Sequence, residues 1–293
     1  MKAALLDGDI IAHTAAAVWQ GNADWGFGYK RQIEPIDIVN EAHRIVRDWT
    51  LRAGCDTSIV CLSPPTNFRH YLTPTYKAQR PPKDIASEEE GIDRLAVAFA
   101  TLRADFDTRL WAHLEADDVM GILGSADPDG TVVVTIDKDL LTVPCTFFNP
   151  RKDAPPARVS RFEADFHWFY QTLRGDPVDG YSGCPGMGEK RSTALLRSHS
   201  SDMWWGAVVA AYAEKGLTLD DAVLQARLAR ILRHTDHDQA SSSITLWHPT
   251  TPETYCLLQA EVVRPPPTER ALRAKLWKPE PAPEEPVRAR IKF

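Results

Sequence analysis

Four short apolar runs, KAALL (residues 2–6), TSIVCLS (57–63), TRLWAHL (108–114) and TVVVTI (131–136), are separated by stretches whose apolar residues recur at helical spacing. Runs of this length, rich in aliphatic and β-branched residues, read as strands. Strands joined through helices cannot pair as hairpins, so they form a parallel sheet covered by helices on both faces, an α/β fold. Between the first two runs, Ile36, Val39, Ile45, Val46 and Trp49 mark a helix ending near Gly54, a residue suited to a left-handed cap. Before the third run, Ser87 and Glu90 make a capping box ahead of a stripe of Ile92, Leu95, Phe99 and Leu102. EADDVMGILGSA supplies the helix that leads to the fourth run.

Residues 1–150 are thus expected to form one α/β core, interrupted by a basic, Pro-containing insertion at about 64–95. From 151 to 250 the pattern is mainly helical, with Ser160 and Glu163 capping a helix that carries Phe162, Phe166, Phe169 and Leu173. Residues 251–293 are Pro-rich and charged and read as a poorly ordered extension. A chain of 293 residues with 43% hydrophobic content can bury such a core. Its net charge of −6 argues against bulk coating of nucleic acid, although not against a local basic groove or an acidic site filled by cations. The five cysteines have no paired metal-type spacing and are expected as reduced thiols in a cytoplasmic setting. Asp7, Asp9 and His13 break the apolar run that a signal peptide needs, and no run is long enough for a membrane span.

The acids fall at telling places. In an open parallel sheet, ligands bind outside the carboxyl ends of the strands. Asp7 follows the first strand, Glu115, Asp117 and Asp118 the third, and Asp137 and Asp139 the fourth. Any one of these alone is an ordinary helix cap or solvated charge. Together they share a rim, and two unit charges about 4 Å apart repel by roughly 4 kcal/mol at an effective dielectric near 20. Cations between them relieve that repulsion, and an all-oxygen donor set selects a hard ion, Mg²⁺ or Mn²⁺.

Two further stretches stand out. In GDPVDGYSGCPGMGEKR, Asp176 and Asp179 precede a turn in which Gly183, Gly186 and Gly188 allow close approach to an anion before a helix start carrying Lys190 and Arg191. The spacing imitates a P-loop, but Glu189 stands where the lysine belongs and no strand precedes the turn; alone it would be an ordinary helix connection. In NFRHYLTPTYKAQRPPK, the cations Arg69, His70, Lys77, Arg80 and Lys83 surround Phe68, Tyr71 and Tyr76. A charge run is commonly a solvated loop, yet this one leaves the sheet at the acidic rim, and its mix of cations and rings suits a single-stranded nucleic acid.

In this order and spacing, LLDGD, FRHYLTPTYKAQR, EADDVMG, TIDKDLL and GDPVDGYSGCPGMGEK resemble the motifs of the 5′-nuclease superfamily. That superfamily includes flap endonucleases and the 5′→3′ exonuclease domains of bacterial DNA polymerase I. The likeness is strongest to phage-encoded 5′→3′ exonucleases, through GDPVDGYSGCPG and QARLARILRH up to LWHP, and it covers roughly residues 3–249. It implies a PIN-like nuclease core with a helical arch, followed by a DNA-binding helical part with a helix–three-turn–helix element. The implied activity is Mg²⁺-dependent 5′→3′ exonuclease cleavage of DNA, with flap endonuclease activity beside it. The setting would be replication, primer removal or recombination of a phage type in the host cytoplasm, and RNA–DNA hybrids are a further implied substrate.

By matching motif, the resemblance assigns Asp7, Glu115, Asp117 and Asp118 mainly to one Mg²⁺, and Asp137, Asp139, Asp176 and Asp179 mainly to a second, with Mn²⁺ as a substitute. Asp7, Asp117 and Asp139 would be catalytic through the metals, and Lys77 and Arg80 through the scissile phosphate. Arg69 and Lys83 would contact phosphates and Tyr76 would stack on a terminal base. Gly183, Gly186, Gly188 and Lys190 would grip duplex phosphates around a K⁺ ion. One departure is plain: the family usually ends its second strand with an aspartate, and here Ser63 stands there, leaving that ligand place to water or the hydroxyl. Two other readings are a haloacid-dehalogenase-like phosphatase, with Asp7 as nucleophile and Asp9 as acid, and a DNA-binding relative without full metal binding.

Overall fold

The structure is a computed structural model that describes residues 1–17, 33–79 and 92–249, together with the backbone of 262–263. β1 (Ala3–Asp7), β2 (Thr57–Leu62), β3 (Thr108–Leu110), β4 (Thr131–Val134) and β5 (Thr146–Phe148) run parallel in one sheet, and β6 (Ala157–Arg158) closes its far edge antiparallel. The spatial order is β3-β2-β1-β4-β5-β6. After β1 the chain builds outward through β2 and β3, then returns to the other side of β1 for β4. The order therefore reverses between β1 and β4, and a crevice opens beyond their carboxyl ends.

The pleat sorts the side chains. Leu6, Val60, Leu62, Val132 and Val134 face α1 (Gly8–Ala16) and α2 (Pro35–Arg52), while Leu5, Cys61 and Val133 face the opposite side. In α2, Ile38, Ala42, Ile45, Val46 and Trp49 are buried at intervals of three and four, and Gly54 just beyond it takes φ +68°. After the short α3 (Arg69–Leu72), α4 (Arg94–Asp105) joins the first layer through Leu95, Ala98 and Leu102. The side chain of Asp93 caps α4 by accepting from the Ala96 N–H at 2.8 Å. The expected capping pair Ser87 and Glu90 lies outside the described residues, as do residues 80–91 of the expected arch, whereas 94–95 belong to α4. α5 (Ala116–Ala126) covers the second face.

Three differences from the sequence reading are local. α1 starts directly at the end of β1, capped by Asp7, although KAALL carries no helix signal of its own. β3 stops at Leu110 because the chain turns away through His113 at φ +65°, so most of TRLWAHL is not strand. β5 and β6 are too short to show in the pattern.

Beyond β6 come α6 (Arg161–Arg174), α7 (Glu189–Arg197), α8 (Trp204–Ala213) and α9 (Leu219–Ala229). Ser160 and Glu163 do form their capping box, at 3.2 and 2.8 Å. Phe169 and Leu173 pack with Trp168, Trp204 and Tyr212, whereas Phe162 is largely exposed, its ring tilted against Trp204. The segment after α9 returns to the first part of the molecule: Ile231 and Leu232 are buried beside α5. A Cβ on Gly121 would lie 2.4 Å from the Leu232 carbonyl oxygen. Cys55, Cys61, Cys145 and Cys184 are free and buried. Among the described residues no helix is long and apolar enough to cross a membrane.

Candidate active site

The crevice beyond β1 and β4 is a cleft of about 810 Å³ lined by Asp7, Glu115, Asp117, Asp137, Asp139, Asp176 and Asp179. Asp7 ends β1, Glu115 and Asp117 start α5, Asp137 and Asp139 lie where β4 passes into a 3₁₀ turn, and Asp176 and Asp179 sit in the turn after α6. Backbone geometry fixes that last turn: Asp176 and Tyr181 exchange N–H···O=C bonds of 2.9 and 3.1 Å, and Asp176 Oδ1 accepts from the Val178 N–H at 2.8 Å. Asp137 Oδ1 accepts from the Asp139 N–H at 2.8 Å.

Crowding raises proton affinities. Burial, then the charge of Asp9, pushes the Asp7 carboxyl up to about 7, although it accepts from the Ile10 N–H and Thr135 Oγ1 at 3.1 and 2.7 Å. Burial followed by Asp137, Asp176 and Asp179 pushes Asp139 up to about 7. Burial, then Asp7 and Asp137, raises Asp117 well above the usual carboxylate range. Such acids in one cleft call for positive charge, and oxygen-only donors fit hard divalent ions. Among the described residues, no three acids are already gathered around one point. An ion there would keep water in its shell, as Mg²⁺ commonly does.

Glu115 differs. Burial would raise its pKa, but Lys77 Nζ at 2.5 Å and Arg69 Nη1 at 2.9 Å outweigh that and hold it at about 2. Lys77 reaches the cleft as the sequence predicts. Its Nζ also lies 3.8 Å from Asp179, its N–H donates to the Asp179 carbonyl at 2.9 Å, and its backbone adopts φ +52°. A lysine held in that conformation stores strain, the kind that persists where the surroundings fix a functional geometry.

Four expected roles are corrected. Arg69 is not available to a phosphate, because its five N–H donors are all engaged: two to Asp118 (2.7 and 2.8 Å), one to Glu115, and two to the carbonyls of Leu228 and Arg230. Asp118 is fully buried, and its oxygens also accept from the Leu232 and Glu115 N–H groups, so it braces Arg69 rather than facing an ion. Tyr76 cannot stack on a base, since its ring is buried and its hydroxyl donates to Glu115 at 2.8 Å. Gly183 serves internal packing: a Cβ there would lie 2.3 Å from Gly175 N, and its own N–H donates to Gln225 Oε1 at 2.8 Å.

Gly186, Gly188 and Lys190 remain at the exposed start of α7, in a shallow hollow with Arg191. Arg80 and Lys83 lie outside the described residues. The sequence reading missed Gln171, whose Nε2 donates to Asp139 Oδ1 at 2.6 Å, and Arg151 on the cleft wall. Nothing in the sequence marked either. Thr135 was also missed, though a threonine interrupting the apolar TVVVTI run was a signal.

These pKa values carry a prediction for the ion-free protein. Unfolded aspartates titrate at about 4, so between that value and about 7 the folded state binds more protons through Asp7 and Asp139. Their contribution to stability is full below the unfolded value and is lost as pH rises through the window. Glu115 acts oppositely and loses its contribution only in acid. Added Mg²⁺ should therefore raise the melting temperature much more at about pH 8 than at about pH 5. An equal gain at both, in thermal melts, would show that ions bind elsewhere.

No family model matches the chain. The exonuclease of Escherichia phage T7 is 27% identical over 288 residues, spanning 84% of this chain and 93% of that protein. A 5′-3′ exonuclease of Mycobacterium tuberculosis is 31% identical over 172 residues, 46% of this chain and 51% of its own length. Among solved structures, a bacteriophage T5 flap endonuclease in complex with DNA and metal ions superposes with a TM-score of 0.52 at 16% identity, covering 78% of this chain and 93% of that one. The mostly parallel, helix-flanked sheet is the fold this chain shares with that structure.

Proposed function

Because the chain belongs to the 5′-nuclease superfamily, we propose that it is a 5′→3′ deoxyribonuclease that hydrolyses phosphodiesters with the help of two divalent ions. The observation that carries this reading is the meeting, at one end of the sheet, of carboxylates from four separate segments with the ammonium of Lys77. Asp7, Glu115 and Asp117 would mainly hold one ion and Asp137, Asp139, Asp176 and Asp179 the other; Mg²⁺ suits these oxygens and Mn²⁺ can substitute. When bound, such ions supply an activated water and offset charge at the 3′ oxygen that leaves in an in-line displacement.

The chain's own part is to place the phosphate, orient the acids and, at Glu115, keep the carboxylate ionised. Gln171 holds one oxygen of Asp139, and Arg69 with Tyr76 holds Glu115 in register with α5. Lys77 is near enough to exchange Glu115 for a phosphate oxygen as substrate enters, bringing charge to the reacting group. Gly186, Gly188 and Lys190 would bind duplex phosphates at the start of α7, a place where K⁺ would also fit this reading. Arg80 and Lys83 would extend the basic surface. Flap cleavage and RNA–DNA hybrid cleavage are further substrate classes within the proposal, and primer removal or recombination in phage-type replication is its setting.

Release of nucleotides from 5′-labelled duplex DNA, dependent on Mg²⁺ and absent with EDTA, is the expected result. Turnover of a small chromogenic phosphate ester without DNA cleavage would favour the phosphatase alternative, and binding without cleavage the metal-deficient one. Lys77→Ala should lower the single-turnover rate about 100-fold and change duplex affinity only a few-fold. Loss of affinity alone would make Lys77 a phosphate anchor.

A further inference from the structure

Of β1, β2 and β4 at the middle of the sheet, β2 is the strand whose end brings no acid to the cleft. Leu62 runs into Ser63, Pro64 and Pro65, and Ser63 Oγ is occupied in accepting the Ala116 N–H at 2.9 Å, holding the start of α5. Of the two expected occupants of that ligand place, water or the hydroxyl, the hydroxyl is already engaged with α5. A carboxylate nevertheless reaches this place from the neighbouring segment. Asp9, in the first turn of α1, lines the cleft beside Asp7 and Asp117, and its Oδ1 accepts the Ser63 N–H at 3.1 Å. Gly8 makes the reach possible: a Cβ there would lie 2.5 Å from Leu62 Cδ2 and 2.6 Å from the Cys61 carbonyl oxygen, so only glycine lets α1 begin pressed against the end of β2. Asp9 Oδ2 has no hydrogen-bond partner among the described residues.

Resting on the nuclease reading above, we propose that Asp9 is the acid serving the β2 side of the divalent-ion site, delivered by α1 in place of one on the strand itself. The Ser63 N–H fixes one carboxylate oxygen and leaves the other for an ion or its bound water. A merely structural Asp9 would be a first-turn acid favoured by the helix dipole. It would affect melting temperature but not ion affinity, and an acid on β2 could not replace it.

The test uses the full chain and Mn²⁺ itself, titrated by calorimetry and by the electron-spin signal of free Mn²⁺, beside the Mg²⁺ midpoint for cleavage. Asp9→Asn should weaken Mn²⁺ binding and raise the Mg²⁺ midpoint by about tenfold or more, in the range seen when groups around a metal are altered. Adding Ser63→Asp to Asp9→Asn should restore both to within a few-fold of wild type, because it returns a carboxylate to the same spot and still offers Ala116 an acceptor. An unchanged Mn²⁺ affinity in Asp9→Asn overturns the inference, and so does a loss that Ser63→Asp leaves uncorrected in a protein that melts normally. If wild type itself binds no Mn²⁺, the nuclease reading fails instead.

Discussion

Asp117→Asn is expected to reduce Mg²⁺-dependent cleavage by about a thousandfold or more while leaving duplex affinity within a few-fold of wild type. Asp117 lies between Asp7 and Asp137 in charge terms, and both raise its pKa, so it stands where positive charge is needed most. An asparagine keeps its shape and removes the negative charge that attracts an ion. Under the proposed function, duplex contacts would fall mainly to the start of α7, which lines a hollow of its own that Asp117 does not enter. The same change should raise the melting temperature of the ion-free protein at neutral pH, because one of several mutually repelling carboxylates is gone. Cleavage at the wild-type rate would remove Asp117 from the site, and a lower melting temperature would show that its charge is compensated.

Arg69→Met is expected to destabilise the fold by about 3–5 kcal/mol, the cost typical of leaving a buried charge without its partner. The residue abandoned is Asp118, fully buried and bonded to both terminal nitrogens of Arg69. Adding Asp118→Leu should recover only part of the loss: it removes the unpaired charge, but the Leu232 and Glu115 N–H groups and the Leu228 and Arg230 carbonyls still lose their partners. Urea unfolding of the two variants decides it. A small change in stability with a large loss of DNA affinity would return Arg69 to the phosphate contacts from which the structure removes it.

That reversal shows where sequence reasoning runs out. The sheet was legible because TVVVTI and TSIVCLS are continuous apolar runs, which only a strand covered on both faces can hide. The rim was legible because strand ends in a parallel sheet share one edge, so acids far apart in sequence had to meet. Arg69 and Asp118 were not, because a buried ion pair and an exposed one are written in the same letters; only the carbonyls of Leu228 and Arg230, some 160 residues away, reveal that this arginine is enclosed. Gly183 was misread for a similar reason, as its close neighbour is a backbone atom of Gly175, which leaves no pattern in the side chains. Asp9 sits in the open as the second acid of LLDGD, but the turn that carries it across to β2 depends on what Gly8 lacks.

The return of the segment after α9 onto α5 has a consequence for how such a molecule can change over time. Asp118 receives the Leu232 N–H, Arg69 donates to two carbonyls at the end of α9, and Gln171 of α6 steadies Asp139. The seam between the two parts therefore runs through the cleft rather than beside it. Neither part can be exchanged for a foreign counterpart, or inherited alone, without leaving raw polar groups at the chemistry itself.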